Sequence, residues 1–515
     1  MKISLIFSVD SMRCTNQAVV LALGVVSFLC LDHDAFASPT TLDVSSNEIR
    51  LGLGSDPATS MVVSWVTWDS VLGNSAASYR ALVATTPADL DTSSALSVNA
   101  SSSSYNITDN LRNGSVFTPT TVYNSPLIHH AVVVDLQPNT TYFYKVTVEN
   151  GLYSPMFNFS TPAPRGSLPA EHVPSVTVIC GDVGQTMHSR NTLNAIMEHR
   201  GYAKLGALGA VEFGILVGDM SYADGNSTRW DTWGEMMQPL SSHFPMMFGV
   251  GNHEIELDYT PGSNYLKAFT HYRNRFHMPG DYEKEVWFDA PPQLYDNWLY
   301  AYNFSFQYEY GASYYSYDVG LVHYVMLNTY NTYCSGPGCP QYEFLAADLA
   351  SVDRSVTPWI VVTMHAPTYN SNVKHPQGTE IATVLINEWA QPLFVEYNVN
   401  FVFAGHVHAY ERFGHVGLDG KSDPTGRNPL YVTIGDGGNH ESLYDEWDPS
   451  LGDISAFRNG QYYGYGTLTV FNESVAKWEW RPNPYEGTAV DGVVAINYAL
   501  LPPQTTSHPR FKVCF

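Results

Sequence analysis

Five short segments of this chain end in residues of metal-ligand type. In order they are Gly181-Asp182-Val183-Gly184, Gly218-Asp219-Met220-Ser221-Tyr222, Gly251-Asn252-His253-Glu254, His365 within Val362-Thr363-Met364-His365, and Gly405-His406-Val407-His408. Carboxylate, phenol, amide and imidazole are oxygen and nitrogen donors, a set that suits cations of hard to intermediate character. Singly, each motif is commonplace, since an Asp or His after a strand usually caps a helix or closes a turn. Their succession, each behind an apolar run, points instead to one shared site. Two histidines at i and i+2 on a strand would face opposite ways. At the end of a strand, where the chain turns, His406 and His408 can lean into one cavity. The glycines permit turns tight enough to bring backbone close to an ion.

The elements that must position these residues are legible from periodicity. Residues 176–180, 213–217, 246–250, 324–327, 359–364 and 400–404 are short apolar runs of strand character. Between them, 191–200, 341–353 and 381–389 carry apolar residues at helical spacing. Such alternation predicts an α/β domain with an interior sheet flanked by helices. Ligands in such domains gather beyond the carboxyl ends of strands, which is where the motifs fall. Ahead of it, 38–162 reads as all-β, with strands over 61–68, 78–84, 130–136, 141–148 and 156–160. Regular short strands suggest a β-sandwich. The Ser- and Thr-rich stretch 89–104 reads as a loop, and His129 and His130 as structural. The proline-rich segment 163–174 is a linker. The α/β domain then runs over 175–505, completed by the part from about 425 onward.

Charge narrows the partners. The 515 residues carry a formal charge of −24 and a pI near 5.0. Such a chain repels nucleic-acid polymers and anionic membranes. A small anionic substrate must therefore meet local positive charge, which metals supply. Residues 18–31 form an apolar run too short to span a bilayer. Ala35-Phe36-Ala37 follows as a small-x-small cleavage site, so 1–37 reads as a secretory signal, with Met12 an alternative start. Secretion is expected, with vacuole or cell wall as alternative destinations. Sequons at Asn99, Asn106, Asn113, Asn139, Asn158, Asn226, Asn303 and Asn472 fit that route. No other segment reads as a membrane span. Cys334 and Cys339 flank Ser-Gly-Pro-Gly, a turn suited to a local disulfide. Cys180 ends an apolar run and reads as a buried thiol.

The order of the motifs resembles that of the metallophosphoesterases, and in detail that of the purple acid phosphatases. The context agrees at Tyr272-Arg273-Asn274-Arg275-Phe276-His277-Met278-Pro279, Thr357-Pro358-Trp359 and Tyr462-Tyr463-Gly464-Tyr465-Gly466. The resemblance covers nearly the whole mature chain and implies a fibronectin-III-like sandwich before a metallophosphoesterase domain. Many metallophosphoesterases carry Asp-x-His at the first motif. Here Gly184 stands in the third position, and Tyr222 is placed to replace the lost ligand. A phenolate is a hard donor that favours Fe(III). The resemblance implies Asp182, Tyr222 and His408 on Fe(III), Asp219 bridging, and Asn252, His365 and His406 on a divalent ion, Zn, Mn or Fe. Such a pair brings roughly +5, from which two aspartates and a phenolate remove about 3 and a hydroxide about 1. The centre keeps roughly +1, so phosphate can bind despite repulsion at distance.

The implied activity is hydrolysis of small phosphate monoesters by a metal-bound hydroxide. His253 is then a general acid or a phosphate contact, and the implied optimum is acidic. Where relatives often carry paired histidines in the loop after His365, this chain has Lys374-His375. Both are read as substrate contacts, as is Asn252, with His375 also catalytic and Lys374 a permanent cation suited to highly phosphorylated substrates. Phytase or nucleotide phosphodiesterase specificity on the same fold is the alternative within enzymes. A non-catalytic binding module is the alternative outside them, against which the intact ligand set argues. The resemblance also allows a homodimer, with Cys514 a candidate bridge. Gly438-Asn439-His440-Glu441 repeats the letters of the third motif but reads as a turn near the cleft. Gly420-Lys421-Ser422 ends like a phosphate-binding loop, yet His415 stands where the first glycine belongs, so it reads as a turn. No G-x-S-x-G elbow occurs.

Overall fold

A computed structural model of the chain describes residues 47–497, apart from 69–78, 114–115, 149–151, 171–172, 204–209, 257–266, 281–283, 288–307, 332–333 and 485–489. The expected signal segment, Asn303 and Cys514 lie outside the described residues.

The N-terminal region is built from two four-stranded antiparallel sheets. One orders Arg50–Leu53, Met61–Thr67, Leu127–Val133 and Ser101–Ser103; the other Phe157–Ser160, Thr141–Val146, Arg80–Ala84 and Leu96–Asn99. Trp65, fully buried, ties the two together by donating its indole N–H to the Thr147 carbonyl at 2.8 Å. The stretch 89–104 is not a loop, as expected above. It contains a short 3-10 helix, Pro87–Asp91, overlapping its start, and two edge strands, one in each sheet. Their side chains are almost all exposed, so they lack the apolar alternation by which strands are read. Asn106–Asn113 and Val116–Asn124 add a separate two-stranded ribbon. His129 and His130 are buried against Thr67 and Ser64 hydroxyls, at 3.0 and 2.8 Å.

The expected α/β region is built on two sheets. A six-stranded sheet orders Met246–Phe248, Ala210–Leu216, Ser175–Cys180, Gly464–Val470, Val475–Pro482 and Asp491–Ile496. A seven-stranded sheet orders Tyr315–Val319, Val322–Met326, Trp359–Thr363, Phe401–Ala404, Leu430–Ile434, Tyr410–His415 and Ser455–Asn459. Alternation across the second sheet divides the core. Val325, Val362 and Val402 pack with Leu345, Leu349, Ile386 and Phe394 of the helices Pro340–Ser351 and Ile381–Glu396. Tyr324, Val361 and Phe401 face the first sheet, where Thr177 meets the Tyr324 hydroxyl at 2.7 Å. The parallel strands of both sheets end toward the same motifs. Cys334 and Cys339 are joined, and Cys180 is a buried free thiol. Among the described residues no helix is long and apolar enough to cross a membrane.

At the edge of the seven-stranded sheet, His323 is clamped between Asp318 at 2.7 Å and Asp348 at 2.9 Å. Burial opposes its charge, but the two carboxylates outweigh burial and raise its pKa to about 9. The stabilisation is therefore complete below the ordinary histidine range and is lost as pH rises through 9. The shift is worth up to about 3 kcal/mol. The thermal midpoint of wild type should exceed that of Asp348→Asn at pH 6, and the gap should narrow toward pH 10. A gap that stays constant across that range would rule the clamp out.

Candidate metal centre

Each motif sits where a strand ends, and the backbone there is bent out of the strand. Asp182, Asp219, Tyr222 and His406 have φ of 58°, 52°, 49° and 71°, in the left-handed region. Non-glycine residues are held there only where their surroundings insist. His406 shows the consequence. Successive i→i+2 hydrogen bonds, Val407 N to Gly405 O at 2.8 Å and Ala409 N to Val407 O at 2.6 Å, coil the chain. His406 and His408 thereby enter one cluster instead of opposite faces. Close approach explains two of the glycines. A Cβ at Gly251 would lie 2.1 Å from Asp219 Oδ1, and one at Gly405 2.4 Å from Asp182 Oδ2.

The structure brings Asp182, Asp219, Tyr222, Asn252, His365, His406 and His408 together, none more than 6% exposed. The Tyr222 hydroxyl lies 3.2 Å from Asp182 Oδ1 and 3.0 Å from His408 Nε2. His408 Nδ1 donates to the Ser442 carbonyl at 3.2 Å, which turns the Nε2 lone pair toward Tyr222. Burial lowers the His408 pKa to about 3, so the ring is neutral, as a ligand requires. On the other side, His406 Nδ1 lies 2.9 Å from Asn252 Oδ1. The same Asn252 oxygen accepts from the Tyr330 hydroxyl at 3.1 Å.

His365 tests whether these residues fit a cation. Its Nδ1 donates to the Val217 carbonyl at 2.9 Å. Its Nε2 then points at Asp219 Oδ2, 3.0 Å away, and Asp182 Oδ1, 4.0 Å away. That nitrogen is buried and makes no hydrogen bond among the described residues. A nitrogen lone pair aimed at carboxylate oxygens is repulsive unless positive charge lies between them. A proton is the smallest answer. Burial opposes it, yet Asp219 and Asp182 raise the His365 pKa to about 9. Burial and repulsion from Asp219 likewise lift the Asp182 carboxyl to about 7. One proton offsets only part of the charge of the two carboxylates, and the cluster offers nitrogen and oxygen donors, so it fits a metal pair.

Carboxylates behind the cluster fix its geometry. Glu254 accepts the N–H groups of Asp219, Met220 and Gly251 at 2.8 to 2.9 Å, tying two strand-end loops together. Glu380 Oε2 accepts from His406 Nε2 at 2.7 Å, and its Oε1 from His375 Nδ1 at 2.7 Å. Burial opposes the Glu380 charge, but His406 and His375 outweigh it and hold the pKa at about 2. His253 Nδ1 lies 2.7 Å from Asp224, and its Nε2 3.9 Å from both Asp219 and Glu441. Burial opposes its charge, but Asp219, Asp224 and Glu441 raise its pKa to about 10.

His375 is buried with its ring centre 4.5 Å from that of His406. Lys374 is exposed at the rim, its ammonium 5.2 Å from the Tyr444 ring centre. The segment 438–444 is more than a turn near the cleft, because it forms a wall of the cluster. Asn439 donates twice to the Asp182 carbonyl, both at 3.1 Å. His440 packs edge-on to Tyr222, and Tyr444 stacks on His408 at 4.9 Å. Lys421 is 81% exposed on a turn, as read from the sequence.

Residues 46–161 match the family model described as the purple acid phosphatase N-terminal domain, 176–410 that of calcineurin-like phosphoesterases, and 428–492 that of the iron/zinc purple acid phosphatase-like protein C. Over 365 residues the chain is 36% identical to probable purple acid phosphatase 20 of Arabidopsis thaliana, covering 70% of this chain and 72% of that one. The chain belongs to the purple acid phosphatase family. It is accordingly a metal-dependent phosphatase of the metallophosphoesterase superfamily. A second relative, Fe(3+)-Zn(2+) purple acid phosphatase 12 of the same plant, is 33% identical over 389 residues, 73% of each chain. Among solved structures, purple acid phosphatase PPD1 from yellow lupin (Lupinus luteus) seeds shares the fold, with a TM-score of 0.65 at 21% identity over 87% of this chain and 73% of that one.

Within this purple acid phosphatase, Glu380, Asp224, Tyr330 and Tyr444 were not among the residues expected at the site, and Glu441 stands in a segment expected to be a turn. Only the segment 438–441 carried a signal, the repeated letters of the third motif. Glu380 offers a test of the cluster. Removing a carboxylate that orients a metal-binding histidine typically costs about 10–100-fold in metal affinity. Glu380→Gln should lose divalent metal to a competing chelator at correspondingly lower chelator concentration. Metal content equal to wild type throughout the titration would show that Glu380 has no such role.

Proposed function

We propose that this phosphatase hydrolyses phosphate monoesters at an Fe(III) and divalent metal pair. Asp182, Tyr222 and His408 would hold Fe(III), Asp219 would bridge, and Asn252, His365 and His406 would hold the divalent ion. The observation that carries this reading is the orphaned His365 Nε2 facing two buried carboxylates. A relative named for Fe(3+) and Zn(2+) supports the choice of metals. When bound, the pair supplies Lewis acidity that activates water and offsets the charge of phosphate. Burial, then Asp182 and Asp219, push the Tyr222 phenol well above its usual range. Only a strong Lewis acid would make it a phenolate, which fits Fe(III) better than a divalent ion.

The remaining groups work on the substrate side. His253, held by Asp224 and protonated through acid and neutral pH, would give a proton to the leaving oxygen as the P–O bond breaks. His375, oriented by Glu380, would donate a hydrogen bond to phosphate. Lys374 at the rim adds a cation for substrates carrying further phosphates. Residues 1–37 and the exposed sequon asparagines Asn99, Asn106, Asn139 and Asn226 support export through the secretory route.

The metal assignment is tested by visible absorption. Protein loaded with iron and zinc should be violet, and Tyr222→Phe should lose the band. A colourless wild type holding both metals would remove Tyr222 from the iron site. The role of His253 is tested by leaving groups. His253→Ala should lower kcat by about a hundredfold or more for alkyl phosphates. The loss should be far smaller for p-nitrophenyl phosphate, whose leaving group needs no proton. Equal losses on both would make His253 a phosphate contact only.

A further inference from the structure

The turn that carries Tyr222 does not hold its shape by local preference. Tyr222, Asp224 and Gly225 have φ of 49°, 55° and 82°. The left-handed conformation costs roughly 1–2 kcal/mol at a residue such as Tyr. Gly225 adopts it freely, but Tyr222 and Asp224 in one turn persist there only where neighbours over-determine them. Within the catalytic region, Gln185 Nε2 donates to the carbonyls of Ser221 at 2.7 Å and Arg229 at 2.8 Å. A further restraint comes from the N-terminal β region. Asp109, on the strand Asn106–Asn113, accepts the Ser227 backbone N–H at 3.2 Å and also the Ser227 hydroxyl.

Ser227 stands at the N-cap of the helix Thr228–Ser241, yet its side chain makes no capping hydrogen bond. A serine there ordinarily caps the helix with its own oxygen. Here its hydroxyl is turned to Asp109, and a carboxylate from another part of the chain lies at the helix start, where negative charge is favourable. The contact continues as an ordered chain of donors. Arg275 Nε donates to the Tyr105 oxygen at 3.0 Å, Tyr105 to His271 Nδ1 at 2.6 Å, and His271 Nε2 to the Ser227 oxygen at 3.0 Å. Ser227 then donates to Asp109. Arg275 and His271 are 1% exposed, Ser227 2% and Asp109 8%. A buried chain with every donor aimed the same way has one low-energy arrangement, and that arrangement sets the position of Ser227.

We propose that Asp109 is a positioning residue for the catalytic turn: through Ser227 it sets where Tyr222 meets the metal centre and where Asp224 holds His253. The consequence for Tyr222 and His253 rests on the function proposed above; the hold on the turn itself does not. On this reading the N-terminal region is part of the catalytic apparatus, which accounts for its being joined to the phosphoesterase domain through buried polar contacts.

The experiment uses the full-length protein and three variants. Asp109→Ala removes the acceptor. Asp109→Asn keeps its shape and one acceptor oxygen, and serves if the alanine variant fails to fold. Tyr144→Phe removes a different contact between the β region and the catalytic region, the 2.7 Å hydrogen bond to the Ser242 carbonyl, and is the control. Hydrogen exchange of the peptide spanning 219–229 should rise about tenfold in Asp109→Ala, with Asp109→Asn between it and wild type. The rise should occur in metal-loaded and in chelator-stripped protein, and Tyr144→Phe should not show it. The kcat should fall about tenfold with KM little changed, and the violet band should shift. Unchanged exchange in that peptide, or an equal rise in Tyr144→Phe, overturns the proposal. A colourless wild type with the exchange result intact would instead overturn the metal reading and leave Asp109 as the brace of the turn.

Discussion

Two carboxylates, Asp182 and Asp219, face each other and an imidazole nitrogen in a cluster almost closed to water. In that setting negative charge is costly, and the cluster is stable only if something positive sits among the donors. A proton on His365 meets part of the demand, and a metal pair meets it more fully. The rest of the architecture can be understood as what keeps these groups from relaxing apart. Strands of two sheets end at the same place. Left-handed residues turn the side chains inward, and glycines let backbone pass within contact of the carboxylates.

The supports are themselves charged. Glu254 ties two strand-end loops through three N–H donors, Glu380 holds two histidines at once, and Asp224 holds a third. The three histidines each have a carboxylate that orients the ring, an arrangement that keeps reorganisation small in a preorganised site. The long-range field works the other way. A chain of charge −24 repels a phosphate ester at distance, and attraction is confined to the centre and the rim lysine. That confinement suits a small substrate and disfavours an extended polyanion.

The β region is joined to this machinery by buried polar contacts as well as by apolar packing. Arg275 pairs with Glu48 at 2.9 Å, and its Nη2 reaches Tyr123 and Asp231, each at 2.5 Å. Desolvation offsets much of the attraction in buried pairs of this kind, while losing one partner strands the other charge. Arg275 also reaches Ser227, at the end of the Tyr222 turn, through Tyr105 and His271. A turn that must present a phenol and a carboxylate at fixed positions gains from a neighbour that cannot slide.

The residues that cluster here were legible in the sequence because each motif is a local event. An apolar strand, a glycine and a donor residue stand within a few positions of one another, and their order along the chain survives folding. Periodicity likewise revealed the parallel strands, which are buried on both faces. It missed Leu96–Asn99 and Ser101–Ser103, whose exposed serines carry no pattern. How the strands divide between the two sheets is not written in their spacing, which says nothing of which strands become neighbours. The supporting groups lay beyond it for the same reason. Glu380 meets His406 across 26 residues, Asp109 meets Ser227 across 118, and Asn439 meets Asp182 across 257. Sequence alone determined which donors exist and in what order. Only the packing of two sheets decided which carboxylate stands behind which ligand, because that choice depends on distance in space.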